Sequence, residues 1–316
     1  MAEGNQEETM MLKLYSIGTL LLEILVLLIK ISFATIEGIY TSLMPKPLKS
    51  VKGEIILVTG AGHGIGREIS LKFAELGATV VCLDINEQGN EETVKLIQNN
   101  GYQKAHSYKC DVTKREEVLQ LVERIKKEVG DVTVLINNAG IMPCHRLLEH
   151  KPQEIIKMFE VNVFAHFWLL EAVLPNMIKQ NHGHIVALSS MAGVLGLRNL
   201  VPYCASKFAV RGLMEAMIEE FREENIAPEV HFTVVFPYMV NTGLCKNPKI
   251  NQKLGEALAL LKPKTVAEII VTSMRQNKLA ITIPSFFMLL NDVLRLFPVK
   301  VGQMVKDFLD SGMEAD

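Results

Sequence analysis

The chain has 316 residues but only five cysteines, at positions 82, 110, 144, 204 and 245. Their scatter fits neither a disulfide framework nor a zinc site, and it points to a reducing, cytosol-facing environment. Excess charge of either sign is also missing. With 33 Lys and Arg against 35 Asp and Glu the net charge is -2, which argues against a nucleic-acid partner. There is no internal repeat and no low-complexity tract. His182-Gly183-His184 is the nearest thing to a metal motif. No acidic or cysteine partner sits at ligand spacing, so both histidines read as structural and no metal is expected.

What is present is alternation. Short apolar runs at residues 54–58, 79–83, 105–109, 132–136, 184–188, 230–236 and 280–283 read as strands. Helical periodicity marks 114–129, 152–179, 203–224 and 265–277. This order predicts an α/β fold, a Rossmann-type doubly wound parallel sheet. Setting aside the first 50 residues leaves about 266, a length suited to one large domain rather than two.

The first strand runs into Thr59-Gly60-Ala61-Gly62-His63-Gly64-Ile65-Gly66 and then into a helical pattern. Strand, glycine turn and helix together let backbone N–H groups approach a pyrophosphate. The spacing T-G-x-x-x-G-x-G differs from the G-x-G-x-x-G fingerprint. A second strand ending on Asp84 supports the dinucleotide reading, because an acidic residue there can accept from ribose hydroxyls and repels a 2′-phosphate. Ile85 and Asn86 offer no opposing cation, and His63 is mostly neutral at pH 7. Arg67 is the one complication. NAD(H) is therefore expected over NADP(H).

Tyr203 and Lys207 stand four apart in Tyr203-Cys204-Ala205-Ser206-Lys207, with Ser190 upstream. At that spacing both side chains lie on one side of a helix. A phenol of pKa about 10 needs stabilisation of its phenolate to work near neutral pH, and a neighbouring ammonium can supply it. Any amphipathic helix can carry such a pair, so its context decides. Cys204 has no base beside it and is not read as a nucleophile.

Residues 50–285 resemble the short-chain dehydrogenase/reductase family. Residues 59–66 resemble its cofactor loop, so Gly60, Gly62, His63, Gly64, Ile65 and Gly66 are expected at the cofactor, with Asp84. Asp111 resembles the adenine-contacting Asp, and Asn138, Ala139 and Gly140 belong to the segment that borders the cofactor. Pro237, Val240 and Thr242 fall in the segment that meets the nicotinamide carboxamide. Asn162, Ser190, Tyr203 and Lys207 match the catalytic tetrad, Tyr203 and Lys207 also touching the cofactor. In the family's chemistry Tyr203 would transfer the proton and Ser190 would bond the reacting oxygen. Lys207 would lower the tyrosine pKa and bind ribose, and Asn162 would anchor a relay water. Ser189 is a second candidate hydroxyl, but the family spacing selects Ser190. Tyr238 departs from the glycine that the family usually has after Pro237.

Within the family the chain is most similar to a membrane-associated group, the 17-beta-hydroxysteroid dehydrogenases of types 11 and 13 and epidermal retinol dehydrogenase. The matching stretches include Asp84-Ile85-Asn86 and Val240-Asn241-Thr242-Gly243. The resemblance implies a lipophilic alcohol substrate such as a steroid 17-beta-hydroxyl, retinol or another lipid alcohol, with oxidation favoured. It also implies a homodimer built on the helices around 152–179 and 203–224, and residence at the endoplasmic reticulum membrane or lipid droplet. The alternatives are an NADP-dependent carbonyl reductase and a low-activity membrane or droplet scaffold.

The N-terminus is divided into an acidic tail (1–14), a hydrophobic segment (15–40) and a basic proline-containing linker (41–52). The catalytic domain follows at 53–285 and an amphipathic extension at 286–316. Twenty residues of helix reach about 30 Å, just a bilayer core, but Glu23 and Lys30 lie inside residues 17–36. No basic n-region precedes this segment and no small-residue cleavage pattern follows, which argues against a signal peptide. A helical extension on the domain and a membrane anchor (spanning, re-entrant or interfacial) stay open, and the anchor is favoured. The linker lysines would keep the catalytic domain cytosolic. Leu254, Leu258 and Leu261 lie on one helical face, as do Phe286, Leu290, Val293, Leu294 and Phe297. Both faces read equally as core packing or as an apolar lid and substrate channel opening toward the membrane, with Met142 and Leu197 as further wall residues.

Overall fold

The computed structural model describes residues 2–44, 47–249, 251, 259–309 and 312–315. It divides into two units, Met1–Leu48 and Lys49–Asp316. The first is a single helix, α1 (Ala2–Leu43). Its apolar stretch Met10–Tyr40 has a mean hydropathy of 2.2, and none of it is buried. The expected linker residues Pro45 and Lys46 lie outside the described residues.

The second unit is built on seven short β-branched strands. They are β1 (Ile55–Thr59), β2 (Thr79–Asp84), β3 (Ala105–Lys109), β4 (Val134–Asn137), β5 (Gly183–Leu188), β6 (Val230–Pro237) and β8 (Ala280–Ile283). All pair in parallel, in the order β3-β2-β1-β4-β5-β6-β8. Near-continuous apolar runs are what a sheet covered on both faces requires. On one face lie α2 (Gly64–Glu75), α3 (Glu87–Asn99) and α8 (Pro263–Arg275), meeting Ile56, Val58, Val80 and Cys82 through Ile69, Phe73, Ile97 and Ile270. On the other lie α4 (Arg115–Glu128), α6 (Ala165–Gln180) and α7 (Val201–Glu223), packed on Leu57, Val81, Leu135 and Ile185. Each fully buried side chain of this kind, Phe73 or Ile125 for example, stabilises the fold by roughly 1.5–3 kcal/mol.

The doubly wound sheet expected from the alternation is therefore present. Helix α3 had not been anticipated, because only four of its thirteen residues are buried. The 152–179 helix is interrupted: α5 (Pro152–Phe159) passes through a π turn at Glu160–Phe164 before α6 begins. Past β8 the chain adds α9 (Phe286–Arg295), α10 (Val299–Leu309) and a short strand β9 (Gly312–Met313), which pairs antiparallel with β7 (Pro248–Lys249). The face of α9 differs from expectation. Phe287 is its buried residue, Leu290 and Leu294 are half-buried, and Phe286, Val293 and Phe297 are exposed. Leu254 and Leu258 of the expected lid lie outside the described residues. Leu261 is bridged to Val240.

His184 has a structural use. Lys49 Nζ donates to its Nδ1 at 2.8 Å, so its Nε2–H faces Thr233 Oγ1 at 2.8 Å, and Thr233 passes its own proton to Lys278 O at 2.7 Å. That chain ties the start of the second unit to the middle of the sheet.

Candidate active site

Strand order reverses between β1 and β4, and in an open parallel sheet the crevice beyond the carboxyl ends at such a point holds ligands. The sequence-selected residues gather there. The 59–66 turn follows β1, Asp84 ends β2, Asp111 follows β3, Asn138–Gly140 follow β4, Ser190 follows β5 and Pro237 ends β6. Gly60, His63, Gly64 and Ile65 of that turn, with Asp84, Asp111, Asn138, Ala139, Gly140, Ser190 and Pro237, line one cleft of about 940 Å³ together with Tyr203, Lys207, Val240 and Thr242, whereas the expected Gly62, Gly66 and Asn162 are not among its lining residues.

The cofactor half is backbone geometry. Gly64 sits at φ +57, and a Cβ on Gly66 would lie 2.1 Å from Gly60 O. Only glycine lets the turn fold so close to itself and expose the first N–H groups of α2, which have no acceptor within the helix. That cradle fits a pyrophosphate. Gly62 N and Asn86 N each donate to the Asp84 carboxylate at 2.8 Å, holding it at the lip. Arg67 is turned inward. It bonds Gly62 O, Gly89 O at 3.1 Å, Thr93 Oγ1 at 3.0 Å and Glu92 at 3.2 Å. Thr113 donates twice to Asp111 Oδ1, at 3.0 and 2.7 Å. Burial works against the Asp111 charge, yet these bonds and nearby Lys157 hold its carboxyl below the usual range.

Thr59 heads the cofactor-loop motif, but nothing in the sequence assigns its side chain a role of its own. Its Oγ1 accepts from Asn138 N and Ala139 N, each at 3.0 Å, while Asn138 Nδ2 donates to Thr59 O at 2.8 Å. These bonds weld the cradle to β4, and they become legible only once β1 and β4 are known to be neighbours.

The catalytic half is buried. Tyr203 is 6% exposed and Lys207 4%. Lys207 Nζ donates to Leu188 O at 2.9 Å and lies 5.7 Å from the centre of the Tyr203 ring. Burial pushes the Lys207 ammonium down to about 8. Burial pushes the Tyr203 phenol up, and a hydrogen bond with Ser190 works against that rise. Ser190 Oγ accepts from Ala192 N at 3.1 Å, which leaves its proton free for another acceptor. Ser189 is engaged elsewhere, donating to Lys207 O at 2.9 Å.

Asn162 sits in the π turn, fully buried. It accepts from Ile141 N at 2.9 Å and donates to Ile141 O at 3.0 Å and Ser206 Oγ at 3.1 Å. Ser206 in turn donates to Tyr203 O at 2.8 Å. This second unforeseen residue links the π turn to the tyrosine's own helix. Local π geometry recurs at functional sites, and here it carries Asn162, whose side chain braces Ile141 in the cleft wall.

Tyr238 is not among the residues with left-handed backbone, so its main chain does not need glycine. Its ring packs against Phe287 of α9, with centroids 5.3 Å apart. Met142 and Leu197 line the cleft as expected, together with Met239 and with Met313 from β9, which sequence reasoning missed.

A sequence profile of the short chain dehydrogenases matches residues 54–253. Epidermal retinol dehydrogenase 2 of Homo sapiens is 39% identical over 278 residues, 88% of this chain and 89% of that protein. The 17-beta-hydroxysteroid dehydrogenase 13 of Homo sapiens is 37% identical over 296 residues, 94% of this chain and 96% of that one. Among solved structures, a short chain dehydrogenase/reductase from Burkholderia phymatum in complex with NAD superposes with a TM-score of 0.68 at 26% identity. That match covers 76% of this chain and 92% of the other.

Proposed function

Because this chain belongs to the short-chain dehydrogenase/reductase family, we propose that it is an NAD-dependent dehydrogenase of lipophilic alcohols, working mainly in the direction of CH–OH oxidation to carbonyl. The observation that carries this reading is the meeting, in one cleft, of the glycine cradle with Ser190, Tyr203 and Lys207, braced from behind by Asn162 through Ile141 and Ser206. Nicotinamide, when bound, supplies the hydride acceptor. Tyr203 Oη takes the hydroxyl proton of the substrate, and Ser190 donates to the same oxygen as its charge changes. Lys207 stabilises the phenolate and binds ribose. The side chain of Asn162 is spent on Ile141 and Ser206, so Asn162 acts by holding the turn that anchors a relay water.

NAD(H) is favoured over NADP(H) by Asp84, fixed at the lip by two backbone donors, and by Arg67, which is committed to carbonyls and Glu92. A lipophilic substrate fits the apolar wall of Met142, Leu197, Met239 and Met313 and the names of the relatives. The exposed apolar helix α1 supports attachment to a lipid surface, and we propose that this surface is the endoplasmic reticulum membrane or lipid droplet, with the catalytic unit toward the cytosol. Exposed Phe164, Phe167 and Phe208 near α6 and α7 support a homodimer.

The test is NADH fluorescence from purified protein in detergent, with estradiol, retinol and a long-chain primary alcohol, under NAD and then NADP. Tyr203→Phe should cut NAD-linked turnover by about 10²–10⁴-fold while NADH still binds. Turnover untouched by that change would sink the mechanism, and strong NADP preference would turn the reading to a carbonyl reductase.

A further inference from the structure

The substrate end of the cleft is closed by a segment that carries no motif. Strand β9 lies against β7 with Pro248 opposite Met313 and Lys249 opposite Gly312. Three more bonds hold it. Glu314 N donates to Asn247 O at 3.0 Å, Asn199 Nδ2 donates to Met313 O at 2.9 Å, and Cys144 Sγ donates to Glu314 O at 3.3 Å. Asn199 adopts φ 64 just before α7, a conformation that asparagine tolerates better than most residues. The strap is therefore attached to three separate parts of the catalytic unit.

These attachments drive the Met313 side chain inward. It is 6% exposed and belongs to the buried cluster that contains Tyr203, Met142, Leu200, Cys204 and Met239. Gly312, Met313, Glu314 and Ala315 all line the cleft. Methionine is flexible and polarisable, so it forms a wall that conforms to an apolar body without a fixed shape.

We propose that Met313 is a specificity-determining residue. On this assignment the C-terminal strap is the outer wall of the substrate pocket, and the volume at residue 313 sets how large an apolar alcohol can reach Tyr203 and Ser190. This rests on the dehydrogenase reading given above. The strap would also keep water from the reacting oxygen, strengthening the hydrogen bonds made there.

The experiment compares the full chain with Met313→Ala, Met313→Trp and Asn199→Ala, each checked for a cooperative thermal transition. Two readouts are taken: kcat/KM for 1-octanol and for retinol under NAD, and the Kd of retinol from its own fluorescence. Met313→Ala should raise the retinol-to-octanol ratio of kcat/KM by about tenfold, the scale of a small change in pocket volume, and Met313→Trp should lower it by a similar factor. Asn199→Ala, which removes one of the strap's attachments without altering Met313, should shift the ratio more weakly in the direction of Met313→Ala. NADH affinity should not change in any of them. Unchanged ratios and unchanged retinol Kd in folded variants would overturn the assignment. If no alcohol is oxidised by the wild type, the dehydrogenase reading fails on its own, and the retinol Kd series still decides whether Met313 lines a lipid pocket.

Discussion

His166 shows how one side chain can make stability depend on pH. It is buried on α6 one turn past Asn162, and its Nδ1 has no hydrogen-bond partner among the described residues. Burial, and secondarily the charge of Lys207, push its pKa down to about 3. The unfolded chain would take up a proton near pH 6.5, whereas the folded chain refuses it until about pH 3. More protons bind to the unfolded state in that window, so stability is lost as pH falls below 6.5. Between pH 7 and pH 5 the loss should be about 2 kcal/mol from this residue. His184, also held well below its usual range by burial, acts in the same direction. In His166→Phe the fall in unfolding free energy between pH 7 and pH 5 should shrink by about that amount, measured by urea denaturation, whatever the variant's absolute stability. Equal slopes in the two proteins would rule His166 out. Nothing in the sequence marks residue 166. The residues that were legible there, Tyr203, Lys207 and Ser190, were so because the glycine turn, Asp84 and the rest of the family motif accompany a spacing that means little alone. Burial is a property of the packed helix and is silent before it forms.

At the scale of elements, strand positions were read from β-branched apolar runs and came within a residue or two of those observed. The local geometry between them was not. The π turn at Glu160–Phe164 has the same apolar periodicity as the helices on either side, and only the bonds of Asn162 to Ile141 and Ser206 show why the extra residue is accommodated. The β1–α2 turn is the opposite case, because its glycines announce it. A Cβ on Gly66 would meet Gly60 O at 2.1 Å and Asn138 Nδ2 at 2.6 Å, the second being the amide that welds the turn to β4. Gly66→Ala must therefore shift the turn rather than a flexible side-chain end. The cost should be about 1–3 kcal/mol of stability, the usual range for overpacking. NADH affinity should fall at least tenfold, because the helix N-terminus is displaced from the phosphates. A fluorescence titration alongside thermal unfolding checks both. Native affinity with a native melting temperature would mean that the cradle relaxes more easily than its geometry indicates.

For the whole molecule, the division into Met1–Leu48 and Lys49–Asp316 makes a separable prediction. The second unit contains all seven strands of the main sheet and every candidate site residue. The Lys49–His184–Thr233 chain that fixes its beginning is also complete within it. Two things at this scale were hidden from the sequence. One is the return of the C-terminus to the cleft, a long-range pairing that two short strands cannot announce by periodicity. The other is the exposure of Leu289, Leu296 and Phe308 on α9 and α10, at 69%, 84% and 70%. The exposed apolar stretch Met10–Tyr40 is 31 residues long, about 46 Å as a helix against a hydrocarbon core of about 30 Å. It is long enough to anchor the chain by itself. Deleting residues 1–48 should therefore move the protein from the membrane pellet to the supernatant on alkaline carbonate extraction. Turnover of a detergent-delivered alcohol should stay within about twofold of the full chain, since no site residue is lost. If the truncated protein stays in the pellet, α1 is not the sole anchor. The exposed apolar residues of α9 and α10, beside the strap that closes the cleft, would then be what holds the enzyme to lipid.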